Sequence, residues 1–421
     1  MDNEIDVPSF FLCPISLEIM KDPVTVSTGI TYDRESIETW LFCKKNTTCP
    51  ITKQPLLDYT DLTPNHTLRR LIQAWCTMNA SHGIERIPTP KPPVNKTQIS
   101  KLLKDASHSP LVCLRRLKSI ASGSETNKRC MEAAGAVEFL ASIVVNNNNS
   151  NNDSSNGADP NDGSGFELKT NASDEALSLL HTLDLSEQGL KALLSFRNGE
   201  FIESLTRVMQ KGFFESRAYA VFLLKSMSQV ADPVQMLHLR QELFGELVQV
   251  LKDQISTKTS KDILQTLIHF SPWGRNRIKA VEAGTVPVLI ELLLDCKDRK
   301  PCEMVLVLLE ILCQCAEGRA ELLSHGAGLA IVSKKILRVS TLANDRAVRI
   351  LLCVSKFSAT PHVLQEMLKL GVVAKLCLVL QVDSGNKAKE KAREILKLHA
   401  RVWKNTPCVP NNLLSSYPVY A

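Results

Sequence analysis

In the first 80 residues, Cys13, Cys43, Cys49, Cys76 and His66 are the side chains that could hold a transition metal. The chemistry such a set suggests is a structural zinc site, with thiolate and imidazole ligands in a tetrahedron. A two-zinc module needs about eight ligands in closely paired spacing. Here no two cysteines stand two residues apart, so two sites are excluded and a single one is disfavoured. A small domain without metal must rest instead on a dense core and a satisfied polar network. Glu18, Asp22, Asp33, Arg34, Glu35 and Glu38, with Ser27 and Thr28, supply donors and acceptors for such a network.

The elements that would position these side chains are legible. Pro23-Val-Thr-Val, then Ser-Thr-Gly29, then Ile-Thr-Tyr32 predicts a short β-hairpin turning at the glycine. Asp33 is placed to cap a helix whose Ile37, Trp40 and Leu41 share one face. After the loop CKKNTTCPITKQPL, Asn65 precedes Leu68, Leu71, Ile72 and Trp75 at helical spacing. Residues 6–80 are thus expected to form one α+β unit: loop, hairpin, helix, loop, helix.

The whole chain has 421 residues, enough for two or three domains, and 44% of them are hydrophobic but only 5% aromatic. That bias favours helical packing. No run approaches the roughly 18 uncharged apolar residues that a membrane span needs. The opening MDNEIDVPSF is acidic, the opposite of a secretory signal. The 13 cysteines are accordingly expected to be reduced thiols of an intracellular protein, and Cys113, Cys313, Cys353 and Cys377 to act as small hydrophobes. Residues 1–80 carry 10 acidic and 7 basic side chains, net −3, so the remainder carries +9 of the total +6. A solvated helical surface accounts for that excess without invoking nucleic acid.

Residues 81–98, with HGIERIPTPKPPVNK at their centre, predict a stiff Pro-rich linker. From 99 to 382 the chain repeats an apolar stretch, a glycine corner and a second apolar helix. Gly135, Gly284, Gly326 and Gly371 mark the register, and Glu200 and Glu242 take that position in two weaker copies. The positions 200, 242, 284, 326 and 371 are 42, 42, 42 and 45 apart. A period near 42 with two or three helices per unit is the armadillo/HEAT signature, in which stacked units bury one another's apolar faces. About six repeats are expected. The Asn/Ser/Gly-rich insert 146–168 is expected to be disordered, and the amphipathic segment 386–405 to cap the array.

The string CPISLEIMKDPV, then GITYDR, IETWL, CPITKQPL and LTPNHTLRRLIQAWC closely resembles the U-box, a metal-free relative of RING domains, over about 75 residues. With the linker and repeats, the whole chain resembles the plant U-box/armadillo ubiquitin ligases. The resemblance implies a mostly α protein: a small α+β, RING-like, metal-free U-box followed by an all-α armadillo-repeat solenoid. It implies a RING-type ubiquitin-protein transferase with no cofactor and no covalent ubiquitin intermediate on the ligase. A ubiquitin-conjugating enzyme would dock on Ile15, Leu17, Trp40 and Pro50, and Lys53 would take the place of the basic residue that closes the ubiquitin thioester. Arginine is common there; lysine makes a single-point contact. Cys13, Asp22, Tyr32 and Arg34 match structural positions.

Protein substrates are then expected on the armadillo repeats, with homo-oligomerisation through the U-box as a further expectation and no nucleic-acid partner. The resemblance points to plant stress or defence signalling and to a cytoplasmic protein, with nuclear and peripheral membrane locations open. Thr63 and Thr89, each followed by proline, are candidate phosphorylation sites. A nuclear-import receptor is disfavoured, because no Trp-x3-Asn ladder occurs in the repeats. The alternative is an armadillo scaffold whose U-box is inactive.

Overall fold

The computed structural model describes residues 6–43, 46–56, 62–89, 94–106, 110–150, 171–382 and 385–403. The chain divides into two compact units, Met1–Ile143 with Asn161–Gly189, and Val144–Pro160 with Leu190–Ala421.

The first unit opens with the hairpin. Strands β1 (Pro23–Thr25) and β2 (Thr31–Asp33) pair antiparallel, with Val24 opposite Tyr32. Gly29 turns the chain with φ +81°, a conformation that costs glycine little. A third strand that the pattern did not reveal, β3 (Thr63–Pro64), pairs with the other side of β1, giving the order β2-β1-β3. Its two residues are too short to carry an alternation. Helix α1 (Arg34–Glu38) continues into a wider turn over Thr39–Cys43, and α2 (His66–Met78) closes the domain. Asn65 caps α2 by accepting the Leu68 N–H at 3.0 Å. Met20, Val24, Tyr32, Ile37 and Ile72 are almost fully buried between sheet and helices. Leu71, expected on the same face, is half exposed; Cys76 takes the inward place.

One expectation changes here. Asp33 does not cap α1: its Oδ1 instead accepts the backbone N–H groups of Lys21 (2.8 Å) and Asp22 (2.9 Å), tying the loop before the hairpin to its far strand. The linker is not free of its neighbours either. Gln73 on α2 donates to the Ile87 carbonyl (3.3 Å) and to the Thr89 hydroxyl (3.4 Å), and the Val94 N–H donates to Asn127 Oδ1 (3.2 Å).

The helices that follow run in triplets. After α3 (Lys96–Asp105) come α4 (Pro110–Ala121), α5 (Glu125–Ala133) and α6 (Ala136–Ser150); then α7 (Ala172–Leu183), α8 (Glu187–Ser195) and α9 (Glu200–Lys211). The next triplets are α10 (Phe214–Val230), α11 (Pro233–Leu237) and α12 (Gln241–Lys252); α13 (Thr257–Phe270), α14 (Gly274–Glu282) and α15 (Thr285–Asp295). Then α16 (Arg299–Leu312), α17 (Ala316–Ser324) and α18 (Gly328–Lys335) precede α19 (Thr341–Phe357), α20 (Pro361–Lys369) and α21 (Val372–Gln381). In the first unit α4 packs on α7. In the second, the leading helices α10, α13, α16 and α19 pack each on the next, and α9, α12, α15 and α18 do the same. Each triplet thereby covers the apolar face its neighbour leaves open.

The corners only partly follow the register. Gly135, Gly284 and Gly371 have φ of +83°, +79° and +70°, and Gly199 (φ +92°) does the work one residue before Glu200. Gly326 is not left-handed. In that triplet the required glycine is Gly328, where a Cβ would lie 2.0 Å from the Leu322 carbonyl oxygen. The triplet around Glu242 has no glycine corner, because α11 is a single short turn.

The insert was expected to begin at Asn146, but Asn146–Ser150 continue α6; 151–168 lie outside the described residues. At the far end α22 (Asn386–Leu398) packs on α19 and α21, and α23 (Ala400–Trp403) buries Trp403, whose Nε1 donates to the Leu364 carbonyl at 3.4 Å. Residues 404–405 lie outside the described residues. No helix among the described residues is long and apolar enough to cross a membrane. The cysteines whose side chains are described are free thiols.

Candidate functional site

Two loops of nearly the same sequence, Cys13-Pro-Ile-Ser-Leu-Glu18 and Cys49-Pro-Ile-Thr-Lys-Gln54, flank the turn that carries Trp40. They also have the same backbone. The Cys13 N–H donates to the Glu18 carbonyl (2.8 Å) and the Cys49 N–H to that of Gln54 (2.9 Å). The Leu17 N–H donates back to Cys13 (2.8 Å) and the Lys53 N–H back to Cys49 (3.0 Å). Leu17 and Lys53 are both left-handed, with φ of +60° and +58°. A non-glycine residue held there stores about 1 kcal/mol or more, and its place in both loops argues that side-chain direction is what the strain secures.

The thiols fasten these loops to the hairpin. Cys13 Sγ accepts the Asp33 N–H at 3.3 Å; Cys49 Sγ shares a hydrogen bond with the Tyr32 hydroxyl at 3.0 Å and accepts one from Thr28 at 3.4 Å. Burial opposes ionisation of Cys49, but the hydroxyls of Thr28, Thr52 and Tyr32 outweigh it and bring the thiol down to about 6. Burial pushes the Tyr32 phenol up, and the sulfur beside it adds to the rise. Both cysteines are fully buried.

Around this frame Asp22 Oδ2 meets Arg34 Nε at 2.6 Å, Arg69 Nη1 lies 3.7 Å from Asp22 Oδ1, and Arg34 Nη1 lies 3.7 Å from Glu38 Oε1. Of the residues expected in the polar network, Glu18, Glu35 and Ser27 are exposed and stay outside it. Arg69 was missed, since on α2 nothing but its fold partner distinguishes it from Arg70.

The docking candidates come together only in part. Ile15 and Trp40 line one cleft of about 330 Å³ with Ile19 and Thr39. Trp40 is half-buried, and its Nε1 donates to the Thr48 carbonyl at 2.8 Å, fixing the ring against the second loop. Leu17 stands 74% exposed at the tip of the first loop, so it is no part of the core. Pro50 is half-buried in the second loop, and Lys53 Nζ lies 5.7 Å from the Trp40 ring centroid, within cation–π range. Ile51, 52% exposed, was overlooked; the repeated Cys-Pro-Ile marks it as the partner of Ile15. Thr63 is exposed within β3, and Thr89 is exposed with its hydroxyl against Gln73.

The metal-ligand candidates whose side chains are described do not converge; that of Cys43 lies outside the described residues. Cys13 and Cys49 serve different loops, Cys76 is buried in α2, and His66 is exposed beside Arg69. Among the described residues no group of three or more His, Cys, Asp or Glu is placed to hold a metal. EDTA or phenanthroline should therefore leave both the melting temperature and any transferase activity of the purified chain unchanged. A loss in either, restored by added zinc, would contradict the assignment of these cysteines to hydrogen bonds.

The U-box domain model matches residues 7–81, and the model of the plant U-box protein ARM repeat region matches 96–419. The E3 ubiquitin-protein ligase PUB22 of Arabidopsis thaliana is 59% identical, covering 99% of this chain and 100% of its own length. PUB23 of the same plant is 58% identical, over 99% of this chain and 98% of its own. Among solved structures, a chain from work on a phosphorylation switch between cadherin and β-catenin shares the fold at TM-score 0.57 and 12% identity, over 79% of this chain and 58% of its own. An engineered protein matches at TM-score 0.51 and 17% identity, over 76% and 71%. A U-box match ahead of an armadillo-region match, and relatives matched from end to end, lead to one conclusion: the chain belongs to the plant U-box, armadillo-repeat family of E3 ubiquitin-protein ligases.

Proposed function

We propose that a ubiquitin-conjugating enzyme docks on the face formed by Ile15, Leu17, Trp40 and Pro50, with Ile51 added, and discharges its ubiquitin to a substrate lysine held by the armadillo helices. The observation that carries this reading is Leu17: a large apolar side chain, 74% exposed, held outward by a left-handed backbone beside the Trp40 cleft. Exposed apolar anchors within a polar surround are the usual composition of a small transient interface.

The lysine ε-amine attacks the thioester carbonyl; a C–N bond forms, the C–S bond breaks, the thiolate leaves and the amine loses its proton. Nothing on the U-box needs to become covalently attached, since its buried cysteines serve the fold. Its contribution is proximity and orientation, which in favourable cases is worth about 7–11 kcal/mol of barrier. Lys53, beside the Trp40 ring, is the group proposed to hold ubiquitin in the reactive pose.

Substrates are proposed to bind in the second unit, where α9 and α12 enclose a cleft of about 790 Å³ lined in part by Ile202, Glu203, Thr206, His238 and Arg240. Its mixed polar lining suits a peptide segment better than a small apolar ligand. Homo-oligomerisation through the U-box, a cytoplasmic location with nuclear or peripheral membrane sites as alternatives, and a role in stress or defence signalling belong to the same proposal. Regulation by proline-directed phosphorylation fits Thr63 and Thr89, both exposed.

Autoubiquitination by the purified full chain with ubiquitin, activating enzyme and a panel of conjugating enzymes separates this reading from a scaffold. Ubiquitin ladders with at least one conjugating enzyme are expected. Silence with the whole panel would favour an inactive U-box.

A further inference from the structure

Glu38 closes α1, two residues before Trp40, yet much of its carboxylate is used outside the U-box. The residue is 3% exposed. Its Oε2 accepts the backbone N–H of Glu125 at 2.9 Å, and its Oε1 accepts the hydroxyl of Thr126 at 2.6 Å. Those are the first two residues of α5, in the first armadillo triplet. A helix start leaves its first N–H groups without partners and carries a partial positive charge, so a buried carboxylate is well matched to it. Ser124 already caps α5 by accepting the Asn127 N–H at 3.2 Å; Glu38 adds a second cap from 87 residues away.

The carboxylate is also compensated on its own side, by Arg34 Nη1 at 3.7 Å. An uncompensated buried charge would be strongly destabilising, so the site is complete as it stands. A second tie lies close by: the Val94 N–H donates to Asn127 Oδ1, and Cys130 Sγ donates to the Val94 carbonyl at 3.4 Å. Thus α5 is held both through the chain that leads into α3 and through the helix that leads to Trp40.

We infer that Glu38 is a positioning residue. It fastens the turn bearing Trp40 to the first armadillo triplet, so that a conjugating enzyme seated on Trp40 presents its thioester to a restricted set of lysines on α3 and that triplet. The inference rests on the docking reading above. Without the clamp the Trp40 face would still recruit and discharge the enzyme, but its reach over Lys96, Lys101, Lys104, Lys118 and Lys128 would broaden.

The decisive variants leave the docking face untouched. Thr126→Val removes one donor from the armadillo side, Thr126→Ser restores it, and Glu38→Ala removes both bonds. Three readouts are taken on the full chain: discharge of charged conjugating enzyme to free lysine, the autoubiquitinated lysines by mass spectrometry, and amide hydrogen exchange over Glu125–Lys128. Discharge to free lysine should stay within about twofold in every variant. Exchange in the α5 start should rise about tenfold in Glu38→Ala and less in Thr126→Val. The modified lysines should spread in both and return to the wild-type set in Thr126→Ser. Unchanged exchange and an unchanged lysine pattern in Glu38→Ala would overturn the clamp, as would loss of free-lysine discharge in Thr126→Val. If the wild-type chain fails to discharge any conjugating enzyme, the docking reading fails instead, and exchange still decides whether the clamp exists.

Discussion

Trp40→Ala should slow ubiquitin transfer by the full chain at least about 100-fold while the armadillo helices melt unchanged. Two losses combine. The indole fills one side of the cleft it shares with Ile15, and truncating an aromatic anchor in a small interface costs about 2–4 kcal/mol, where each 1.4 kcal/mol is tenfold. The same ring donates to the Thr48 carbonyl and sits beneath Lys53, so its removal also loosens the second loop. Trp40→Phe distinguishes the two, because it keeps an apolar ring and loses the hydrogen bond; a smaller loss, about tenfold, is expected. Full activity and full conjugating-enzyme binding in Trp40→Ala would remove this face as the docking site.

Asp22→Ala should destabilise the U-box by about 3 kcal/mol and lower its melting temperature by about 12–24 °C. Asp22 is the shared acceptor for Arg34 and Arg69, whose side chains are 11% and 19% exposed. Removing one partner of a largely buried pair leaves the other charge without compensation, typically at about 3–5 kcal/mol; the partial exposure here argues for the lower end. A small domain has only about 5–10 kcal/mol in reserve. Replacing both members, Asp22→Ala with Arg34→Met, removes the lone Arg34 charge but leaves Arg69 without Asp22 and Glu38 without Arg34, so at most part of the loss should return. Thermal melts of the three proteins, with hydrogen exchange to localise unfolding to residues 6–80, would check it. A loss below about 1 kcal/mol in Asp22→Ala would mean that these ion pairs are not what Asp22 contributes.

The hairpin, α2 and the triplet period were readable because each is a local pattern: a glycine turn between β-branched residues, an Asn65 cap before apolar spacing, a recurrence near 42 residues. What was not readable is non-local. Asp33 sits where a helix cap belongs, yet its carboxylate is drawn to the Lys21 and Asp22 N–H groups by the hairpin pairing, which no sequence window contains. Gly326 holds the register position, but the close approach falls at Gly328, since it depends on where Leu322 packs. Glu38 was expected to serve the U-box network; its contacts with Glu125 and Thr126 join residues 87 and 88 positions apart. For the docking face, the resemblance to the U-box pointed to Ile15, Leu17, Trp40 and Pro50, whereas Ile51 needed the loop duplication to be noticed.

The central claim is that the twin loops and Trp40 form a docking face, and Leu17 tests it most directly because its side chain is 74% exposed and removing it disturbs little of the core. The measurement is single-turnover discharge of ubiquitin-charged conjugating enzyme to free lysine, with the full chain as wild type and as Leu17→Asp. The wild type should accelerate discharge at least tenfold over the conjugating enzyme alone, and Leu17→Asp should fall to that background with its melting temperature unchanged. Equal acceleration by both proteins would contradict the account.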